Sequence, residues 1–163
     1  MHALDLDGVL TPYSANRFCA EYLSRTFLHI SGCPGKFMNL FSWSSVNDIL
    51  RHHRLDTVKL RLMKGGEQLP PESFIKGRYG LAASELTNEV REGATLIINS
   101  VDEIYEPITL LVERLERRLE VAVQANMYAS WRVFRGFDLH WDEHDVIVLQ
   151  VAGMVKGRST MRA

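Results

Sequence analysis

Val121 marks a change of hydrophobic grammar that limits the folds open to this chain. Upstream, apolar residues recur at helical spacing over several stretches. Downstream, residues 121–128 and 146–151 read as apolar runs of strand length, joined through Gly136 and the region of His140. Helices then dominate the first two thirds and strands the end. Segregation of this kind indicates an α+β architecture and argues against an alternating α/β one.

The upstream part resolves into discrete elements. The spacing predicts a helix over 14–26, with Ser14 as N-cap and Phe18, Tyr22 and Leu23 sharing a face with Ala15 or Cys19. Residues 27–30 read as a short strand before Gly32-Cys33-Pro34-Gly35 turns the chain. A second helix is expected over 43–52, capped by Ser42, with Trp43, Val46, Ile49 and Leu50 on one face. Residues 57–63 alternate Val58, Leu60 and Leu62 against Lys59 and Arg61, which suits a strand with one wet face, and Lys64-Gly65-Gly66-Glu67 signals a turn. Prolines and glycines over 64–80 predict a surface loop, followed by a short helix over 84–90 closed by Gly93 and a strand over 95–98. Ser100-Val101-Asp102-Glu103 has capping-box form, but Pro107 cannot sit inside the helix it would start. A helix restarting near Pro107 would turn Ile108, Leu111, Val112, Leu115 and Leu119 inward and keep Glu113, Arg114, Glu116, Arg117 and Arg118 in solvent.

Charge excludes some classes of partner. Nineteen basic residues against twenty acidic ones leave a formal charge of -1, so neither nucleic acid nor an anionic membrane is indicated as the main partner. Arg51-His52-His53-Arg54, with Asp56 close behind, reads as a solvated helix end. Cys19 and Cys33 lack a metal-binding spacing and no secretory signal is read before them, so reduced thiols and a cytoplasmic location are expected. No apolar run approaches the roughly 18 residues of a membrane span. At 163 residues, a single domain is expected.

Gly136-Phe137-Asp138-Leu139-His140-Trp141-Asp142-Glu143-His144-Asp145 is the densest group of ligand-capable side chains. On a strand, His140 and Asp142 point the same way. An imidazole and a carboxylate so placed can take adjacent positions on one divalent metal, and a second histidine from elsewhere would complete a facial triad. Taken alone, a His-x-Asp is a common pattern, and a charged solvent-exposed turn reads these residues equally well. A local set of His140, Asp142 and His144 is a further alternative, opposed by the turn-like character of Glu143 and Asp145.

Residues 136–153 closely resemble the metal-binding strand pair of the cupin-like JmjC hydroxylases, the group that includes the ribosomal oxygenases. Asn126-Met127-Tyr128 resembles that family's Asn-x-Tyr on the neighbouring strand, and Gly93 to Asn99, the helix after Pro107, and the stretch from Phe27 to Pro71 also fit its pattern. The resemblance implies amino-terminal helices packed on an incomplete double-stranded β-helix of cupin or jelly-roll type, with helix-rich residues 14–119, metal-site strands over 121–153 and a divergent tail over 154–163. It implies an Fe(II)- and 2-oxoglutarate-dependent oxygenase that hydroxylates a protein or peptide side chain. His140 and Asp142 would be the iron ligands, and Tyr128 and Asn126 would line the 2-oxoglutarate pocket.

Two departures from the family pattern bear on activity. Val155 stands where the family places a base for the distal carboxylate of 2-oxoglutarate, with Lys156 one place off, and a one-residue slip turns a strand side chain to the other face. The family's second histidine ligand has no counterpart in the sequence, which therefore reads as a truncated version. A chain of this kind is expected to bind Fe(II) weakly, to leave 2-oxoglutarate intact and to associate with itself. A non-catalytic JmjC-like interaction module is the first alternative. The second is a haloacid-dehalogenase-type phosphatase, because Asp5-Leu6-Asp7-Gly8-Val9-Leu10-Thr11 has the form of that family's nucleophile motif.

Overall fold

The structure, a computed structural model, describes residues 4–78, 80–131 and 143–153. Two capped helical turns come first. The Asp5 Oδ1 accepts the Gly8 N–H at 2.9 Å and starts α1 (Leu6–Leu10), and Ser14 caps α2 (Ala15–Glu21) through the Arg17 N–H. α2 stops at Glu21 and does not run to Thr26, because the chain turns and Ser24 takes a φ of 55° that a right-handed helix cannot contain. Residues 27–30 keep their alternation, with Leu28 and Ile30 turned inward, but join no ladder.

α3 (Trp43–His52) has the boundaries its sequence cues indicate. Ser42 and Ser45 form a reciprocal capping box, and the buried Ser45 hydroxyl also meets the Tyr105 hydroxyl at 2.8 Å. Val46 and Ile49 are buried, whereas Trp43 is largely exposed. The following strand starts later than expected. Asp56 makes a turn by accepting the N–H groups of Val58 and Lys59, so β1 spans Leu60–Lys64 and Val58 is left in solvent. Gly65 and Gly66, with φ of 61° and 89°, turn the chain into β2 (Glu67–Gln68). The stretch expected to be a surface loop also holds a two-stranded ribbon, β3 (Ile75–Lys76) with β4 (Gly80–Leu81), and sends Phe74 fully into the core.

α4 (Ala83–Arg91) is tied to the first hairpin by Lys64, whose Nζ lies 3.0 Å from carboxylates of both Glu89 and Glu92. β5 (Thr95–Ile98) is buried at every position. The break expected between Ser100 and Pro107 is present, as a short 3-10 turn over Val101–Glu103. Ser100 is left-handed, and the Asp102 carboxylate accepts the Ala125 N–H at 2.8 Å, a partner distant in sequence. α5 (Glu106–Leu119) then starts with Pro107 in its first turn, where a missing N–H is harmless.

β6 (Met127–Ser130) completes a sheet of order β2-β1-β5-β6 with antiparallel neighbours throughout. One sheet face carries Leu60, Leu62, Leu96 and Ile98 into a core shared with α3, α4 and α5. α5 serves two cores. Ile108 and Val112 face the sheet, while Leu111 and Leu115 face Leu6, Val9, Leu10 and Ala15.

The carboxy-terminal strands are shorter than their sequence indicates. Pairing of the run 121–128 begins at Met127, although Val123 and Ala125 already pack on the core. Among the described residues, 146–151 form no ladder, and Val146 and Val148 are 59% and 76% exposed, in contrast to the strand expected there. An apolar run becomes a strand only where a partner supplies its hydrogen bonds. Leu149 and Val151 do turn inward, and Asp145 accepts a hydrogen bond from Ser24 at 2.5 Å. The described architecture is α+β. Among the described residues no helix is long and apolar enough to cross a membrane.

Candidate functional site

The sheet has a second face, away from the helices. The register places Arg61, Ile97 and Tyr128 in one row across β1, β5 and β6, with Met63, Thr95 and Ser130 in the next. Because side chains alternate, these six share the face opposite Leu62, Leu96 and Ala129. Ile97, Met63 and Thr95 are buried, while Tyr128 is 57% exposed. Arg61 lies along this face, its Nε donating to the Gln68 Oε1 at 2.8 Å.

Asn126 and Tyr128 therefore share a face, as their spacing predicts, and that face is directed away from the helical core. Tyr128 is not a core aromatic. Asn126 is exposed, and its Oδ1 accepts the Ser100 N–H at 2.9 Å. The Gln124 side chain reaches the Ser100 hydroxyl beside it at 2.6 Å. The carboxamide oxygen thus clamps the end of β5 to the chain leading into β6, and Nδ2 is the atom Asn126 would offer a ligand. Arg61, Gln68 and Thr95 were not singled out from the sequence. Only the ladder register places them on the sheet face that carries Tyr128.

His140 and Asp142 lie outside the described residues. His144 is described, exposed and at a bend with Glu143, in keeping with a turn at this point. Among the described residues no group of three His, Cys, Asp or Glu side chains comes together to hold a metal ion.

The phosphatase alternative meets a different geometry. A nucleophilic aspartate of that kind ends a parallel strand, whereas Asp5 caps a helix and the Asp7 Oδ1 accepts the Ala15 N–H at 2.8 Å. Both carboxylates are engaged in local structure, and the sheet is antiparallel. Its motif is a helix cap, and the phosphatase reading is set aside.

Residues 103–159 match the JmjC domain family. The matched segment contains α5, β6, Asn126, Tyr128, His140 and Asp142. The bifunctional lysine-specific demethylase and histidyl-hydroxylase NO66 of Brugia malayi is 21% identical over 152 residues, which are 91% of this chain and 21% of that protein. The chain therefore spans about a fifth of the length of the curated relative it matches. Within the JmjC match, Tyr128 and Asn126 are the expected site residues whose surroundings the structure describes, and both stand on the sheet face turned away from the helices.

Proposed function

We propose that this chain belongs to an Fe(II)- and 2-oxoglutarate-dependent oxygenase of the JmjC class that hydroxylates a protein or peptide side chain. The observation that carries this reading is the alignment of three features. The JmjC match covers the His140-x-Asp142 pair, the same match covers Asn126 and Tyr128, and those two residues share the sheet face away from the helical core. In a jelly roll that face would be the inner one, lined by a second sheet.

One imidazole and one carboxylate at alternate positions are donors that suit Fe(II), so His140 and Asp142 would hold the metal, with a third ligand from elsewhere. The metal, when bound, supplies the oxygen chemistry. The chain's own residues would position the keto acid. The Tyr128 phenol would donate to a carboxylate, the Asn126 Nδ2 would donate beside it, and Ile97 would give the pocket an apolar floor. The NO66 relative is named for lysine demethylation and histidine hydroxylation, and a protein side chain as substrate agrees with both. A cytoplasmic location and self-association belong to this reading as well.

A non-catalytic JmjC-like module is the second reading. It is favoured by Val155, which stands where the family places a base for 2-oxoglutarate, with Lys156 one place off. Metal titration with Mn(II) as an iron stand-in separates the outcomes. Weak binding that disappears in His140→Ala and Asp142→Ala, together with 2-oxoglutarate decarboxylation above the His140→Ala level, supports the oxygenase. Such binding without turnover favours the module. Metal binding indifferent to both substitutions removes the metal site from both readings.

A further inference from the structure

The basic run at the end of α3 is more than a charged helix terminus. Arg51, His52, His53 and Arg54 form one wall of a cleft of about 330 Å³ whose other lining residues are Leu50, Leu55, Leu60 and Leu81. Leu50 and Leu81 are half-buried and face the opening, and Leu55 and Leu60 close the floor behind them. No acidic side chain lines it.

Several basic residues elsewhere in the chain meet carboxylates. Arg17 pairs with Glu21, Lys59 with Glu103, Lys64 with Glu89 and Glu92, and Arg117 with Glu113. None of these pairs lies at the cleft. Asp48, one turn back, meets His52 through its main-chain carbonyl at 2.9 Å. The Asp56 carboxylate is turned to the N–H groups of Val58 and Lys59. Among the described residues, none of the four basic side chains is in an ion pair. In a chain of net charge -1, this leaves a concentrated positive wall facing two accessible leucines.

We propose that this cleft binds an acidic peptide segment, with carboxylates on Arg51 and Arg54 and one aliphatic side chain seated between Leu50 and Leu81. Arginine forks suit carboxylates in a bidentate geometry, and the leucines supply the apolar anchor that an acidic peptide needs beyond charge. A single-stranded nucleic acid is a poorer fit. The lining has no Phe, Tyr or Trp on which bases would stack. This assignment rests on the cleft alone and is independent of the iron-site reading.

The test is fluorescence anisotropy of the full chain with a labelled peptide of repeated Asp-Asp-Leu. Binding is expected, weakened by added salt and reduced about tenfold or more by Arg51→Gln/Arg54→Gln, as for loss of a central charged anchor. The same peptide with Ser in place of Leu should bind less tightly than the parent. Arg54→Gln alone serves as a milder variant, with circular dichroism confirming the fold of each. Equal binding by wild type and variants, or no binding by the Asp-Asp-Leu peptide, overturns the proposal. Tighter, competing binding of a single-stranded oligonucleotide of equal charge overturns it in favour of nucleic acid.

Discussion

Ile97 and Tyr128 face each other across the β5–β6 ladder, and on the same sheet face one is 2% exposed and the other 57%. The row begins with Arg61 on β1, so Ile97 lies between a guanidinium and a phenol. A buried isoleucine flanked by polar groups belongs to an interior that is apolar at its centre and polar at its rim. Ile97→Ala should therefore cost about 2–5 kcal/mol, as for a core position, and should do so without touching the helical core. Urea denaturation measures it. A loss below about 1 kcal/mol would mean that this face is open to water.

Asn126 has a structural task that can be separated from ligand binding. Its Oδ1 holds the Ser100 N–H, next to a left-handed residue at the end of β5. Asn126→Asp keeps an oxygen acceptor and removes Nδ2, whereas Asn126→Ala removes both. The Ala variant should lose about 0.5–1.5 kcal/mol, since the freed N–H can still reach water. The Asp variant should keep most of the stability and, on the proposed oxygenase reading, weaken 2-oxoglutarate binding. Equal melting temperatures for wild type and Asn126→Ala would show that the clamp is dispensable.

The elements that the sequence made legible are those whose cues are local. The Ser42 cap, the spacing of Val46 and Ile49 and the basic end define α3, and Gly65-Gly66 defines the first hairpin, without reference to distant partners. The shared face of Asn126 and Tyr128 was also legible, because a period of two needs no partner. Its direction was not, and it is decided by Val123, Ala125, Met127 and Ala129 packing against the core. Strand lengths depended on ladder partners, so 121–126 and 146–151 looked more like strands than they are. The break after Ser100 was legible as well, because Pro107 cannot sit inside a helix begun there. Asp102 is claimed by Ala125, a residue no local pattern connects to it. Arg61 became visible in the same row as Tyr128, with Ile97 between them, only through register. The proposed metal pair, His140 and Asp142, rests on sequence spacing and the JmjC match.

Asp56 carries an acid-sensitive part of the stability. The Lys59 N–H, followed by that of Val58, holds its carboxyl below the ordinary aspartate range. A depressed native pKa means that the folded chain prefers the ionised form. The stabilisation is then present above the unfolded value of about 3.9 and is lost as pH falls through the lower folded value. Asp56→Ala should be less stable than wild type near pH 6, and the difference should shrink below about pH 3. The group is exposed, so the effect is small and best read from urea midpoints at the two pH values. A gap that does not change with pH would place the effect in backbone preference and not in the charge.

Trp43 and Trp131 give the junction of α3 and β6 an optical handle. Their rings lie 5.1 Å apart at 36°, and both are substantially exposed. Trp43 is the first residue of α3 and does not face the core as its spacing had indicated, so the pair holds the helix start against the end of the outer strand. Such a contact contributes about 0.5–1.5 kcal/mol beyond the area it covers. Two indoles this close couple electronically, so wild type should show an exciton couplet in far-ultraviolet circular dichroism. Trp131→Ala should abolish the couplet, leave Trp43 more open to quenching by iodide, and lower stability by about 1 kcal/mol. A couplet that survives the substitution would mean that these two rings do not meet in solution, and the seam between α3 and β6 would need another origin.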